Sequence, residues 1–183
     1  MKKSISATND FCPQTMFLYG TYKDDGTPNF GLFCWFSYCW DSELGVMACI
    51  GGEKPTKDKI RATRVFSANL VTEELLPFAD YCGNKGGKNI PAEVEKGRVL
   101  DVPILTKSPW VYELEVVQTI ALDGSDVFLC KIKNVLVDQN LWDADASHEE
   151  KIKTIKPAQT VGGTYFGWNG SSLGEWGVPM KSL

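Results

Sequence analysis

Two apolar runs around a polar turn dominate the first quarter of the chain. In "TMFLYGTYKDDGTPNFGLFCWFSY" they flank "DDGTPN", where Asp and Gly tolerate turn dihedrals and Pro28 fixes one. This predicts a β-hairpin with strands near 15–22 and 29–37. Alternation along the second strand puts Phe30, Leu32, Cys34 and Phe36 on one face and Phe33 and Trp35 on the other. Both faces are apolar, so the strand is expected to be covered on both sides. "LGVMACIGG" predicts a third strand near 44–50, and "VFSANLV" a further one. Between them "EKPTKDKIRATR" carries Lys54, Lys57, Lys59, Arg61 and Arg64, with Thr56 placed to cap a short helix. Pro77 suits the first turn of another helix, running through "FADYC" and stopping at Gly83. The stretch 84–108 reads as polar and irregular, with a short helix near 91–96.

"WVYELEVVQTIAL" alternates. Tyr112, Leu114, Val116 and Ile120 share one side with Gln118, while Glu113 and Glu115 take the other. "DVFLCKIKNVLVD" pairs with it across "DGSD", a second hairpin. The tail "TVGGTYFGWNGSSLGEWG" is rich in glycine and aromatics. Strands dominate and short helices decorate them. The expected fold is mainly β with short helices (α+β), an antiparallel barrel formed as a single domain over residues 1–183.

Composition narrows the function classes. The net charge is −4, so no basic face for general nucleic-acid binding is expected. No run approaches a membrane span in length. The start "MKKSISATNDFCPQ" lacks the apolar core of a secretory signal, which leads to the expectation of a cytoplasmic protein. In that compartment the six cysteines are expected as reduced, mostly buried thiols rather than disulfides. No CxxC pair marks a metal or redox site, and no metal is expected. The single histidine, His148 in "DASHEEK", reads as a solvated loop residue, which removes His-based triads and multi-His metal sites.

Two stretches suit an anion. "EKPTKDK" combines a helix start with the Thr56 hydroxyl, Lys54 and Lys57. "GNKGGK" (83–88) sets flexible backbone beside Lys85 and Lys88. Both are equally compatible with a solvated basic helix face and an ordinary glycine loop, and neither has Walker or Rossmann spacing. Phe33, Trp35, Phe36 and Trp40, with Tyr165, Phe166 and Trp168 later, offer stacking surfaces or simply core. No nucleophile or carboxylate pair stands out. Any hard chemistry therefore falls to a bound cofactor.

The ordered set "LYGTYKDDGTPNFGLFCWF", "PTKDKIRATRVFSANLVTEE", "ADYCGNKGGKN" and "VYELEVVQTI…DVFLCKIKNVLVD" resembles the flavin reductase-like family, and within it the flavoredoxin group. The resemblance runs over most of the chain. It implies an FMN-binding split β-barrel, usually a homodimer with the flavin near the subunit interface. It implies NAD(P)H as electron donor and an unidentified acceptor, a redox partner protein among the candidates. By position, Phe33, Cys34, Trp35, Phe36 and Ser37 would line the isoalloxazine, and Lys54, Thr56 and Lys57 would meet the phosphate. Asn69 matches a family Asn at a strand end. Tyr81, Cys82, Gly83 and Lys85 would fall in a loop closing over the flavin. The chain departs from the family pattern at four places. Gly86-Gly87 stands where the family loop has Ser-Gly, and Ser125 stands nearest a family His. Cys130 replaces a Gly, and Lys131 an acidic residue. These lie where a nicotinamide or acceptor would sit, so the resemblance carries FMN binding further than reductase activity. The alternative is an FMN electron-transfer protein with no NAD(P)H site. A barrel for another ligand such as haem, or a structural module, is left with less support.

Overall fold

The computed structural model describes residues 1–10, 12–85, 93–142 and 145–183, Lys85 through its backbone alone. Strands β1 (Gln14–Thr15), β2 (Phe17–Tyr22), β3 (Pro28–Phe33), β4 (Phe36–Asp41) and β5 (Glu43–Gly51) come first. Helix α1 (Pro55–Thr63), β6 (Val65–Leu70) and α2 (Leu76–Lys85) follow. Then come β7 (Val94–Lys96), β8 (Pro103–Leu105) and the long pair β9 (Trp110–Leu122) and β10 (Ser125–Val137). Helices α3 (Gln139–Trp142) and α4 (His148–Ile155) precede β11 (Gln159–Val161), β12 (Thr164–Phe166) and β13 (Ser172–Glu175). The fold is mainly β with short helices, as the sequence indicates.

Seven strands form one sheet in the order β3-β2-β6-β9-β10-β5-β4, with every neighbouring pair antiparallel. Its two edge strands, β3 and β4, are consecutive in the chain. The step from Phe33 to Phe36 reaches about 11 Å at most, so the sheet must curl until its edges meet there. The result is a barrel with a seam at Cys34–Trp35. Its interior holds Tyr19, Val46, Ile50, Phe66, Leu114 and Phe128, all without exposed surface. A second apolar cluster lies between the β2–β3 hairpin and α2, and includes Met16, Leu18, Phe30, Leu76, Ala79 and Tyr165. β1 joins β11, β12 and β13 in a separate four-stranded sheet.

The seam corrects the predicted strand 29–37. The Phe36 N–H donates to the Cys34 carbonyl at 3.1 Å, and the Cys49 N–H to the Trp35 carbonyl at 2.9 Å. This tight turn breaks the alternation. Phe36 crosses to the barrel interior, stacking on Phe17 with ring centroids 4.2 Å apart, while Trp35 turns out to solvent. A similar change occurs on β9. The register with β10 shifts between Val116 and Gln118, a bulge that rotates every later side chain. Val116 is therefore interior, but Gln118 and Ile120 are exposed on the outer face.

Other expectations shift too. Thr56 does not cap α1; the cap position is Lys54 and Pro55 opens the helix. Helix α2 passes Gly83 and ends at Lys85. Of the helix expected near 91–96, residues 91 and 92 lie outside the described residues, and Val94–Lys96 is strand, paired with β8. His148 begins α4 rather than lying in a loop, its N-terminus closed by a Ser147–Glu150 capping box. All six cysteines are unpaired. No helix among the described residues is long and apolar enough to cross a membrane.

Candidate functional site

The end of β5 delivers the chain to α1 through Gly51 and Gly52. Gly52 has φ +67°, which an L side chain adopts only with strain. Lys54 follows in extended conformation, and its side chain makes no cap hydrogen bond. Pro55 has no N–H to satisfy. The first helical bond runs from the Asp58 N–H to the Lys54 carbonyl. The N–H groups of Thr56 and Lys57 are left without an intrahelical acceptor. The Thr56 hydroxyl stands beside them, accepting from the Asn29 side-chain amide at 2.9 Å. A hydroxyl that accepts keeps its own proton to donate. This corner thus offers hydrogen-bond donors at the positive end of a helix, with the exposed Lys54 next to it.

Lys57 behaves differently from the sequence expectation. It is 1% exposed, and its ammonium sits 2.9 Å from the Glu53 carboxylate. Glu53 also receives Arg61 at 3.5 Å. Arg61 in turn grips Asp126, Nε to Oδ2 at 2.6 Å and a terminal nitrogen to Oδ1 at 3.0 Å. The Lys57 hydrogen bond holds the Glu53 carboxyl below its usual range, and the Arg61 fork does the same for Asp126. The network ties α1 to the start of β10. Lys57 contributes to that clamp rather than standing free for an anion.

The seam lies against this corner. A Cβ on Gly31 would fall 2.7 Å from the Phe33 ring and 2.8 Å from the Thr56 hydroxyl oxygen. The glycine thus lets strand, ring and helix meet. Phe33 itself stacks on Tyr19, centroids 4.7 Å apart, and belongs to the core, as does Phe36. Trp35 is 48% exposed, and its indole packs over Gly51 just ahead of α1. Of the predicted aromatics it alone presents a large free ring surface near the helix start. Ser37 is exposed, on the outer face of β4. Cys34 is half-buried in a 250 Å³ cavity shared with Leu32, Phe33, Trp35, Tyr165 and Trp176. Burial pushes its thiol up.

Helix α2 packs behind two residues that line this cavity, Leu32 and Trp176. A Cβ on Gly83 would lie 2.7 Å from the Trp176 ring and 3.3 Å from Leu32. Tyr81 is half-buried. Cys82 is buried, its thiol pushed up to about 12 by desolvation, so it packs as an apolar group. The side chain of Lys85, and Gly86, Gly87 and Lys88, lie outside the described residues. Asn69 is a structural peg. Its amide donates to the Leu18 carbonyl and the Ser67 hydroxyl, each at 2.9 Å, and its oxygen accepts the Leu105 N–H at 2.9 Å. Both donors are spent within the protein.

Sequence reasoning missed Asp80. This carboxylate has no exposed surface. It accepts the Tyr165 hydroxyl at 2.8 Å, the Gly177 N–H at 2.9 Å and the Met180 N–H at 3.1 Å. It thereby fixes the C-terminal segment, and with it Trp176, over Gly83. A charged residue inside the apolar turn "FADY" was the available signal.

A family model described as the flavin reductase like domain matches residues 9–152. An uncharacterized protein of Aeropyrum pernix is 26% identical over 126 residues, 63% of this chain and 45% of that protein; the chain spans about half the length of that curated relative. Among solved structures, the flavoredoxin of Desulfovibrio vulgaris (Miyazaki F) superposes with a TM-score of 0.80 at 23% identity, covering 91% of this chain and 93% of that one. An FMN-binding protein from Thermus thermophilus with bound p-hydroxybenzaldehyde gives 0.69 at 18% identity, over 96% and 93%. These structural likenesses establish the split-barrel fold.

Proposed function

The chain belongs to the flavin reductase-like family, and from that premise we propose that it binds FMN and works as an FMN-dependent oxidoreductase of flavoredoxin type. Bound FMN would supply the redox chemistry, taking a hydride from NAD(P)H and passing electrons to an acceptor. The observation that carries this reading is the start of α1: N–H groups of Thr56 and Lys57 with no intrahelical acceptor, the Thr56 hydroxyl proton, and exposed Lys54 beside them. These groups suit a phosphate. Lys57 supports them from beneath by holding Glu53, and Asn29 orients the Thr56 hydroxyl. Trp35 offers a ring plane beside this corner, and the Cys34–Trp35 seam brings backbone close to it. Gly83 of α2 packs against Trp176 and Leu32, which line the neighbouring cavity.

The test compares FMN with riboflavin, which lacks the phosphate. Thr56→Val with Lys54→Ala should weaken FMN binding tenfold or more, since charged hydrogen bonds contribute about 1.5–3 kcal/mol each. Riboflavin binding should be unchanged. Equal losses for both ligands, or no loss, would overturn the phosphate assignment.

An FMN electron-transfer protein without a nicotinamide site is the second reading. It is favoured by the second hairpin, where Ser125 stands at the turn, Cys130 is buried inside the barrel, and Lys131 pairs with Glu43. Anaerobic addition of NADH or NADPH to the FMN-loaded protein separates the two. Bleaching of the flavin bands by a nicotinamide supports the reductase; bleaching by dithionite alone supports the carrier.

The reading includes a homodimer. On the outer face of the seven-stranded sheet Met47, Val117, Ile120 and Leu122 are exposed, and no described element covers them. A second copy is the proposed cover, set beside Trp35. The six unpaired cysteines fit a reducing, cytoplasmic setting.

A further inference from the structure

A larger cavity opens at the mouth of the barrel where β2 begins and β6 ends. It has a volume of 730 Å³, within the usual range for small-molecule sites. Its floor is aromatic. Phe36 stacks on Tyr112 with centroids 5.9 Å apart and meets Tyr38 edge-on at 90°. Trp110 tilts against Tyr112 at 6.3 Å. These rings form one aromatic wall, and the slot is the space between that wall and α4. Ile152 and Ile155 of α4 form the opposite wall.

Gln14, Thr15, Tyr38 and Tyr112 bring polar side chains to the slot. The Tyr38 and Tyr112 hydroxyls share one hydrogen bond of 2.7 Å, which leaves the second phenolic proton for a ligand. At the rim stand His148 and Lys151, three residues apart on one face of α4. Lys151 makes no ion pair among the described residues, whereas Lys153 on the same helix is paired with Glu149. None of the described lining residues is acidic, in a chain with 23 acidic side chains. With acid in excess over the whole chain, the Lys151 ammonium gives this rim a local positive charge.

From this complementarity we infer that the cavity binds a planar aromatic carboxylate, its ring in the slot and its carboxylate on Lys151. The site is separate from the α1 corner and does not rest on the FMN reading.

The probes are 2-naphthoate and its uncharged amide, 2-naphthamide, followed by quenching of tryptophan fluorescence. The naphthoate should bind more tightly than the amide by about tenfold, one charged hydrogen bond. Lys151→Met should remove that difference and leave amide binding unchanged. Ile152→Trp, on an exposed helix face, should block both probes while the melting temperature holds. FMN should not compete. Overturning results are equal binding of the two probes, absence of binding, binding that survives Ile152→Trp, or displacement of naphthoate by FMN.

Discussion

Asp80 and Tyr165, 85 residues apart in sequence, meet in a 2.8 Å hydrogen bond with neither side chain exposed. The same carboxylate accepts two backbone N–H groups from the C-terminal segment and the Asn84 amide. Removing it in Asp80→Ala strands four donors at once. With hydrogen bonds to charged groups at about 1.5–3 kcal/mol each, a loss of at least about 3 kcal/mol is expected. For a chain of this size that is roughly 6–12 °C in melting temperature. Residues 170–183 should also become the first site of limited proteolysis. A protease-resistant C-terminus in the variant would show that Trp176 is held by other means.

Much of the frame was legible because it rests on local chemistry. "DDGTPN" and "DG" each specify a hairpin turn, and both hairpins form there. What was illegible depends on partners distant in sequence. Phe36 reads as continuing its strand, and only the closure of the sheet turns it inward. Lys57 reads as a free cation, yet its charge is spent on Glu53 one helical turn away. Asn69 matches a family position, yet its donors are taken by Leu18 and Ser67. Thr56 reads as the cap of α1, a role the structure gives to Lys54. Asn29, 27 residues earlier, aims the Thr56 hydroxyl. Alternation cannot foresee a bulge, so the outward turn of Ile120 was hidden as well.

Glu113 gives a pH-dependent prediction. It is fully buried, and burial pushes its carboxyl up. The Asn134 amide and the N–H groups of Leu100, Val99 and Arg98 outweigh that and hold it below the usual range. Its contribution to stability is therefore present above the unfolded carboxylate value of about 4.3 and lost as pH falls through the lower folded value. Glu113→Gln removes the charge and sets an amide N–H₂ against donors. The variant should be less stable at pH 7 by about 2–3 kcal/mol, and the gap should close as pH drops below 4. Urea melts across that range check it; a gap that stays constant with pH would refute the assignment.

Trp35 and Phe36 are neighbours with opposite roles. Phe36→Ala cuts a stacked core ring and should cost about 3–5 kcal/mol, seen as a lower melting temperature. Trp35→Ala removes a ring that is half in solvent and packs mainly on Gly51. It should leave stability within about 1 kcal/mol but weaken both FMN and riboflavin, since stacking concerns the ring and not the phosphate. Unchanged affinity for both flavins would remove Trp35 from the site.

The dimer can be tested on the outer sheet face. Ile120 pairs with Val127 across the β9–β10 hairpin, next to Cys49 on β5. Ile120 is 40% exposed in the single chain. Its row is apolar and projects from rigid strands, so a partner copy gains hydrophobic area with little ordering cost. Ile120→Asp would place a charge in the centre of that contact, where desolvation opposes it. Sedimentation velocity should show a dimer for the parent protein and a monomer for the variant, with an unchanged circular dichroism spectrum. A parent protein that sediments as a monomer at all concentrations would refute the dimer. A variant that still dimerises would move the interface to another face.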